Sequence, residues 1–165
     1  MRIRINQTEW KKAEGELVAS IPSFAAKIHR DAAIFLQRKL VDDVLDGPGG
    51  NVYPKTGYPS GIQGGASGFV GAVSGNLKSS IQAEPESGYA SRVGVNPAMG
   101  AVGDVKGYAQ HVAEWSRRKY GKDFSGIAVE LYGGYVLQQI EKEAGRMVRE
   151  VIRGRKYEYR NPFNA

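Results

Sequence analysis

Apolar residues between Phe24 and Leu45 fall at Phe24, Ile28, Ala32, Phe35, Val41 and Leu45, mostly three or four positions apart. That spacing predicts an α-helix with one face turned to a core. Ser23 supplies the N-terminal cap, and Asp46-Gly47-Pro48 ends the run, because proline cannot continue a helix and glycine provides the closing turn. A helix of this length spans roughly 36 Å. Upstream, Thr8 predicts the cap of a shorter helix with Glu9 in its first turn, ending near Ser20 because Pro22 interrupts it. Arg2-Ile3-Arg4-Ile5 alternates as a short strand does.

The other periodic run lies near the C-terminus. Leu137, Ile140, Ala144, Met147 or Val148, and Val151 predict an amphipathic helix ending at Arg153-Gly154. Arg146, Arg149 and Arg153 lie off that stripe and suit the negative end of the helix dipole. Between the helices, Ser74 to Ile81 reads as a capped helical turn. Ile81–Pro85 and Tyr89–Val95 read as a hairpin around Glu86-Ser87-Gly88, and Ile127–Tyr132 as a further strand. Tyr108, Ala109, Val112 and Trp115 have helical spacing. Residues 156–165 form a polar, aromatic tail without periodicity. The expected fold class is α+β: a small antiparallel sheet flanked by a long N-terminal helix and a C-terminal amphipathic helix, within one domain over 1–165.

Residues 47–75 break every period. Ten of these 29 residues are glycine, and Pro48, Pro54 and Pro59 stand among them. Connections are ordinarily about 4–6 residues long, and much longer ones tend to be functional. Tyr53, Tyr58, Ile62, Phe69 and Val70 make the stretch too apolar for a solvated linker. The expectation is an extended arm, mobile in the free chain, that buries these residues against a partner.

Composition narrows the chemistry. There is no cysteine among the 165 residues, which removes disulfides, thiol nucleophiles and thiolate metal sites, and only His29 and His111 offer imidazoles. No apolar run is long enough to cross a membrane, and the N-terminal residues lack a secretory leader, so the expectation is a protein made in the cytoplasm with no membrane contact. The formal net charge is +6. It sits unevenly: residues 106–122 carry five bases against Glu114 alone, and residues 142–165 carry seven against three acids. Basic ends around a neutral middle suggest a polyanion or an acidic partner.

Three constellations fail as catalytic sites. Asp42-Asp43-Val44-Leu45-Asp46 resembles a diphosphate-binding aspartate motif, but the second metal-binding cluster that such chemistry needs is missing. Gly49 to Thr56 nearly matches a phosphate loop, but Pro54 stands where a glycine must turn an N–H to phosphate. His111 and Glu114 share a helical face without a third ligand. The sequence therefore predicts no enzymatic activity, no cofactor and no metal. Arg117, Arg118, Lys119 and Lys122, interleaved with Trp115 and Tyr120, have the make-up of a phosphate-facing patch without base readout.

Taken in order, Ser74-Gly-Asn-Leu-Lys-Ser-Ser-Ile81, the strand bearing Arg92-Val-Gly-Val95, Tyr108-Ala-Gln-His-Val-Ala-Glu114 and a closing helix resemble the tail-completion (neck, head–tail joining) proteins of tailed bacteriophages. The resemblance covers about half the chain, roughly Ser74 to Arg153. It departs from the family pattern at Trp115-Ser116 and at Gly133-Gly-Tyr-Val136. It implies a virion structural protein at the neck or tail top, forming a homo-oligomeric ring between the head-closure or portal side and the tail-tube or terminator side, with DNA passing through. Under it, Tyr108 and Val112 pack the core, Glu114 pairs at a subunit contact beside Trp115, and the basic patch faces the DNA channel or an acidic partner. Two other readings compete: a free-standing nucleic-acid-binding protein, and a small hydrolase using His111 and Glu114.

Overall fold

A computed structural model describes residues 6–45, 80–95, 113, 114, 117, 118, 121 and 123–164. The fold is α+β. Helix α1 spans Gln7–Lys39 and widens into a π-helical segment, Leu40–Leu45. Strands β1 (Ile81–Ser87) and β2 (Ala90–Val95) pair antiparallel, and helix α2 spans Phe124–Ile152.

The two N-terminal helices expected from the sequence are one. Asn6 rather than Thr8 is the cap, its side chain accepting from the N–H groups of Thr8 (3.1 Å) and Glu9 (3.5 Å). Pro22 lies inside the 33-residue helix, which is about 50 Å long. Proline costs a helix its i→i−4 bond, but Val18, Ile21, Pro22 and Ser23 are all exposed, so the carbonyl left without a donor lies on a solvated stretch. Packing carries the helix across the break: Glu16, Ala19 and Ser20 border a cleft closed by Val151, Gly154 and Tyr157. At the other end, the wider i→i+5 turn lets positions four and five apart face the same way. Leu40, Val44 and Leu45 are consequently all buried, with Ile81, Ile127 and Ala128.

The hairpin turns at Gly88–Tyr89, later than the expected Glu86–Gly88, and β1 runs on to Ser87. Register shifts between Pro85 and Ser87, at a bulge beside the residue with no N–H to give the ladder. The Tyr89 N–H bonds the Ser87 hydroxyl oxygen at 3.1 Å.

Residues 127–132 are helical rather than a strand. Asp123 caps α2 by accepting from the Gly126 N–H (2.8 Å), and the helix runs through Gly133-Gly134. The β-rich look of Ile127–Tyr132 yields to this cap and to burial of Ile127 and Ala128 on α1. The inward stripe of α2 is also shifted. Val136, Glu143, Met147 and Val151 are buried, Met147 rather than Val148 faces in, and Leu137 is 63% exposed. The helix ends as expected, with Arg153 as C-cap and Gly154 at φ +68°.

The C-terminal segment is a strap across the two helices. Phe163 is buried with Ile28, Ala32 and Val136, and the rings of Tyr157 and Tyr159 stand edge-on to Phe24. Several expectations lie outside the described residues: the Arg2–Ile5 strand, the arm with Tyr53, Tyr58, Ile62, Phe69 and Val70, the turn at residues 74–79, and Tyr108, Val112, Trp115, Lys119 and Lys122.

Candidate interaction surfaces

Of the site residues expected from the sequence, Glu114, Arg117 and Arg118 are described. All three are exposed and helical; the Gly121 N–H bonds the Arg117 carbonyl at 2.9 Å, with Gly121 at φ +76°. Arg117 already has a structural partner: its Nη2 donates to Asp123 Oδ2 at 2.9 Å, tying it to the cap of α2. The Gly126 N–H, then Ser125 and Arg117, hold the Asp123 carboxyl below its ordinary value despite partial burial.

Two polar centres that the sequence did not reveal hold the chain's layers together. Glu143, buried on the α2 stripe, accepts from Arg146 Nε (2.9 Å), Tyr157 OH (2.8 Å) and the Arg160 N–H (3.1 Å). Burial raises its pKa, but the Arg146, Tyr157 and Arg160 bonds outweigh that and hold it below the usual carboxylate value. Burial, then the bond to Glu143, pushes the Tyr157 hydroxyl well above the usual tyrosine range. Tyr159 OH donates to the buried Asp31 at 2.9 Å, and burial and that bond raise it likewise. A carboxylate with this many donors is a docking point for the strap.

The second centre is His29. Its Nε2 lies 3.0 Å from the Gly88 carbonyl, which can only accept, so Nε2 carries the proton and Nδ1 accepts from Ser91 Oγ, also at 3.0 Å. Gln37 Nε2 donates to the Ile81 carbonyl at 2.7 Å. These bonds fasten the hairpin to α1. A hydroxyl beside an imidazole has the spacing of a base-activated nucleophile. Among the described residues, however, the adjoining walls are aliphatic, and the one hydroxyl across from the pair, on Ser125, is held by Asp123 at 2.7 Å. The described residues thus bring no free side-chain donor to a developing oxyanion.

Beside His29 and Ser91 lies a groove of about 340 Å³ walled by Ala33, Leu36, Leu40, Val93, Ala128 and Val129. Val129 is in helical phase with the buried Val136 and Met147, yet is 61% exposed because the groove opens there. The far end of α1 shows the same mismatch. Trp10 stands five turns before Ile28 and Ile21 two turns before it, on the core stripe, yet they are 56% and 46% exposed. Counting phase from Ile28 and from Met147 would have marked these positions as core-type residues. That neither end is covered was not in the sequence pattern.

No family model, curated protein or solved structure matches the chain.

Proposed function

We propose that this chain is a structural virion protein of a tailed bacteriophage, a subunit of an oligomeric ring at the head–tail neck that completes the tail and surrounds the path of the DNA. One observation carries the reading beyond the motif order. Core-type apolar residues are uncovered at both ends of α1, in two dissimilar settings: the Trp10–Ile21 stripe at one end, and the groove with Val129 at the other, roughly 30–40 Å away. Two unlike surfaces at opposite ends are what a head-to-tail contact needs, and such contacts close into rings when the rotation between copies permits. On this reading the neighbours along the virion axis are the head-closure or portal-side protein and the tail-tube or terminator protein. Glu114, Trp115 and the aromatic residues of 47–75 remain candidates for those contacts.

Charging each end in turn tests the assembly. A Trp10→Glu/Ile21→Glu double variant and a Val129→Glu variant should each be monomeric by sedimentation velocity. Mixed, they should form heterodimers and nothing larger, because one intact interface survives. Homodimers of either variant, or no pairing in the mixture, overturn the head-to-tail contact. The virion placement is tested separately, by immunogold labelling of purified tailed particles: label at the neck supports it, and absence of the chain from particles overturns it.

A further inference from the structure

Resting on the neck reading, we infer that the surface touching duplex DNA is the outer face of the C-terminal half of α2, rather than the Arg117–Lys122 patch that the sequence singles out. Lys142, Arg149 and Arg153 stand seven and four residues apart, which brings them onto one stripe of the helix. All three are exposed, and none has a carboxylate partner among the described residues. Lys156, also exposed, lies just past the Gly154 turn and extends the basic run.

Two of the acids of the same region are occupied. Glu143 points inward to Arg146, Tyr157 and the strap backbone, and Glu150 is paired with Arg155 at 3.7 Å. Glu141 and Glu158 remain exposed, so the face is positive without being saturated. In the Arg117 patch, by contrast, the Arg117 guanidinium sits on Asp123 at 2.9 Å. Four helical residues rise about 6 Å, which suits Arg149 and Arg153 to nearby phosphates of one strand, where charges recur about every 3.4 Å along the axis. Guanidinium and ammonium groups spaced to meet phosphates fix position on the duplex and carry no sequence information, so the proposed contact is to backbone.

Fluorescence anisotropy of a labelled random-sequence 20-base-pair duplex, titrated with the full chain over a series of salt concentrations, tests this. The unmodified protein should bind with a dissociation constant in the range of roughly 1–100 µM, weakening linearly in log–log with salt. Lys142→Gln/Arg149→Gln/Arg153→Gln should weaken binding at least tenfold and lower the salt slope by about 0.9 per lost phosphate contact. Arg117→Gln/Arg118→Gln should change neither by more than about twofold. Circular dichroism melts should overlay for all three proteins, and Lys142→Glu/Arg149→Glu/Arg153→Glu should abolish binding. An unchanged slope in the stripe variants, a larger loss in the Arg117 variant, or no binding by the unmodified chain at low salt each overturns the assignment. None of these outcomes bears on whether the charged-end variants pair, so failure here is distinguishable from failure of the ring.

Discussion

From Phe24 to Phe35, the core stripe of α1 is covered by the chain's own C-terminal strap, with Phe163 inserted between Ile28, Ala32 and Val136 and Tyr159 bonded to Asp31. Two to five turns earlier, the same stripe presents Ile21 and Trp10 to solvent. The residue types are alike in the two regions, and the difference lies in what reaches them. The strap runs back from Gly154 toward the middle of α1 and leaves Trp10 and Ile21 uncovered. Burial on the covered half is matched by a polar anchor, Glu143, that makes the strap's path specific. Around Trp10 and Ile21 the described residues provide no such anchor.

The contrast breaks first at Phe163. Phe163→Ala removes a buried ring from the strap cluster and should destabilise the chain by about 3–5 kcal/mol. Trp10→Ala, which deletes a larger ring from the exposed half, should cost no more than about 0.5 kcal/mol. Urea unfolding of dilute protein reads both. Similar costs for the two would mean that the exposed half is packed in solution.

Glu143→Gln comes next, at about 2 kcal/mol, since the bonds it weakens involve a charged group. The sign of the pH dependence follows from the direction of its shift. A carboxyl held below its ordinary 4.5 in the folded chain contributes stability above that pH and loses it as pH falls through the lowered value. Stability of the unmodified chain should therefore drop below about pH 4.5, and the Gln variant should show a shallower drop. It should not be flat, because Asp43 and Asp123 are also lowered and titrate in the same direction. An identical acid profile for the two proteins would remove Glu143 as the anchor.

Much of this frame was legible in the sequence, for reasons that also explain the misses. Periodicity located both long helices and the hairpin, and Arg153-Gly154 marked the end of α2. It failed where local signals and tertiary packing disagree. Pro22 reads as a break, yet the helix passes through it because both flanks are held by α2 and the strap. Ile127–Tyr132 reads as β because branched and aromatic residues cluster there, yet Asp123 caps a helix just before them. The strap was unreadable because one residue at a time, Tyr157, Tyr159 and Phe163, meets a different partner, which leaves no period. Glu143 was missed since a charged residue on a core stripe looks like a solvated one until its donors, including a backbone N–H seventeen residues on, are assembled. At the candidate surfaces the residue types were legible, and only the fold distinguishes Arg117, tied to Asp123, from Arg149 and Arg153.

The hairpin side of α1 offers a smaller test of the same distinction. Ser91→Ala deletes the hydroxyl that donates to His29 Nδ1 but keeps the strand's packing. It should cost about 1 kcal/mol, with faster amide exchange confined to residues 81–95 and no change at the strap. Exchange that rises equally at 157–163 would mean that hairpin and strap respond as one unit.

The smallest expected effect on stability is at Ile21, and its informative readout is a different one. Ile21 follows Val18 on an exposed turn beside Pro22, so Ile21→Ala removes little buried area and should leave the unfolding midpoint of the dilute chain within about 0.5 kcal/mol of the original. If the uncovered stripe is the surface that meets a second copy, the same substitution should weaken self-association several-fold at concentrations where the original chain assembles, because the methylenes lost there are desolvated only in the assembly. Sedimentation equilibrium over a concentration series separates the two effects. A stability loss of 2 kcal/mol or more would show that Ile21 is buried within the monomer, and the contrast between the two halves of α1 would disappear. Unchanged stability together with unchanged association would leave the contrast intact but move the contact surface away from this stripe.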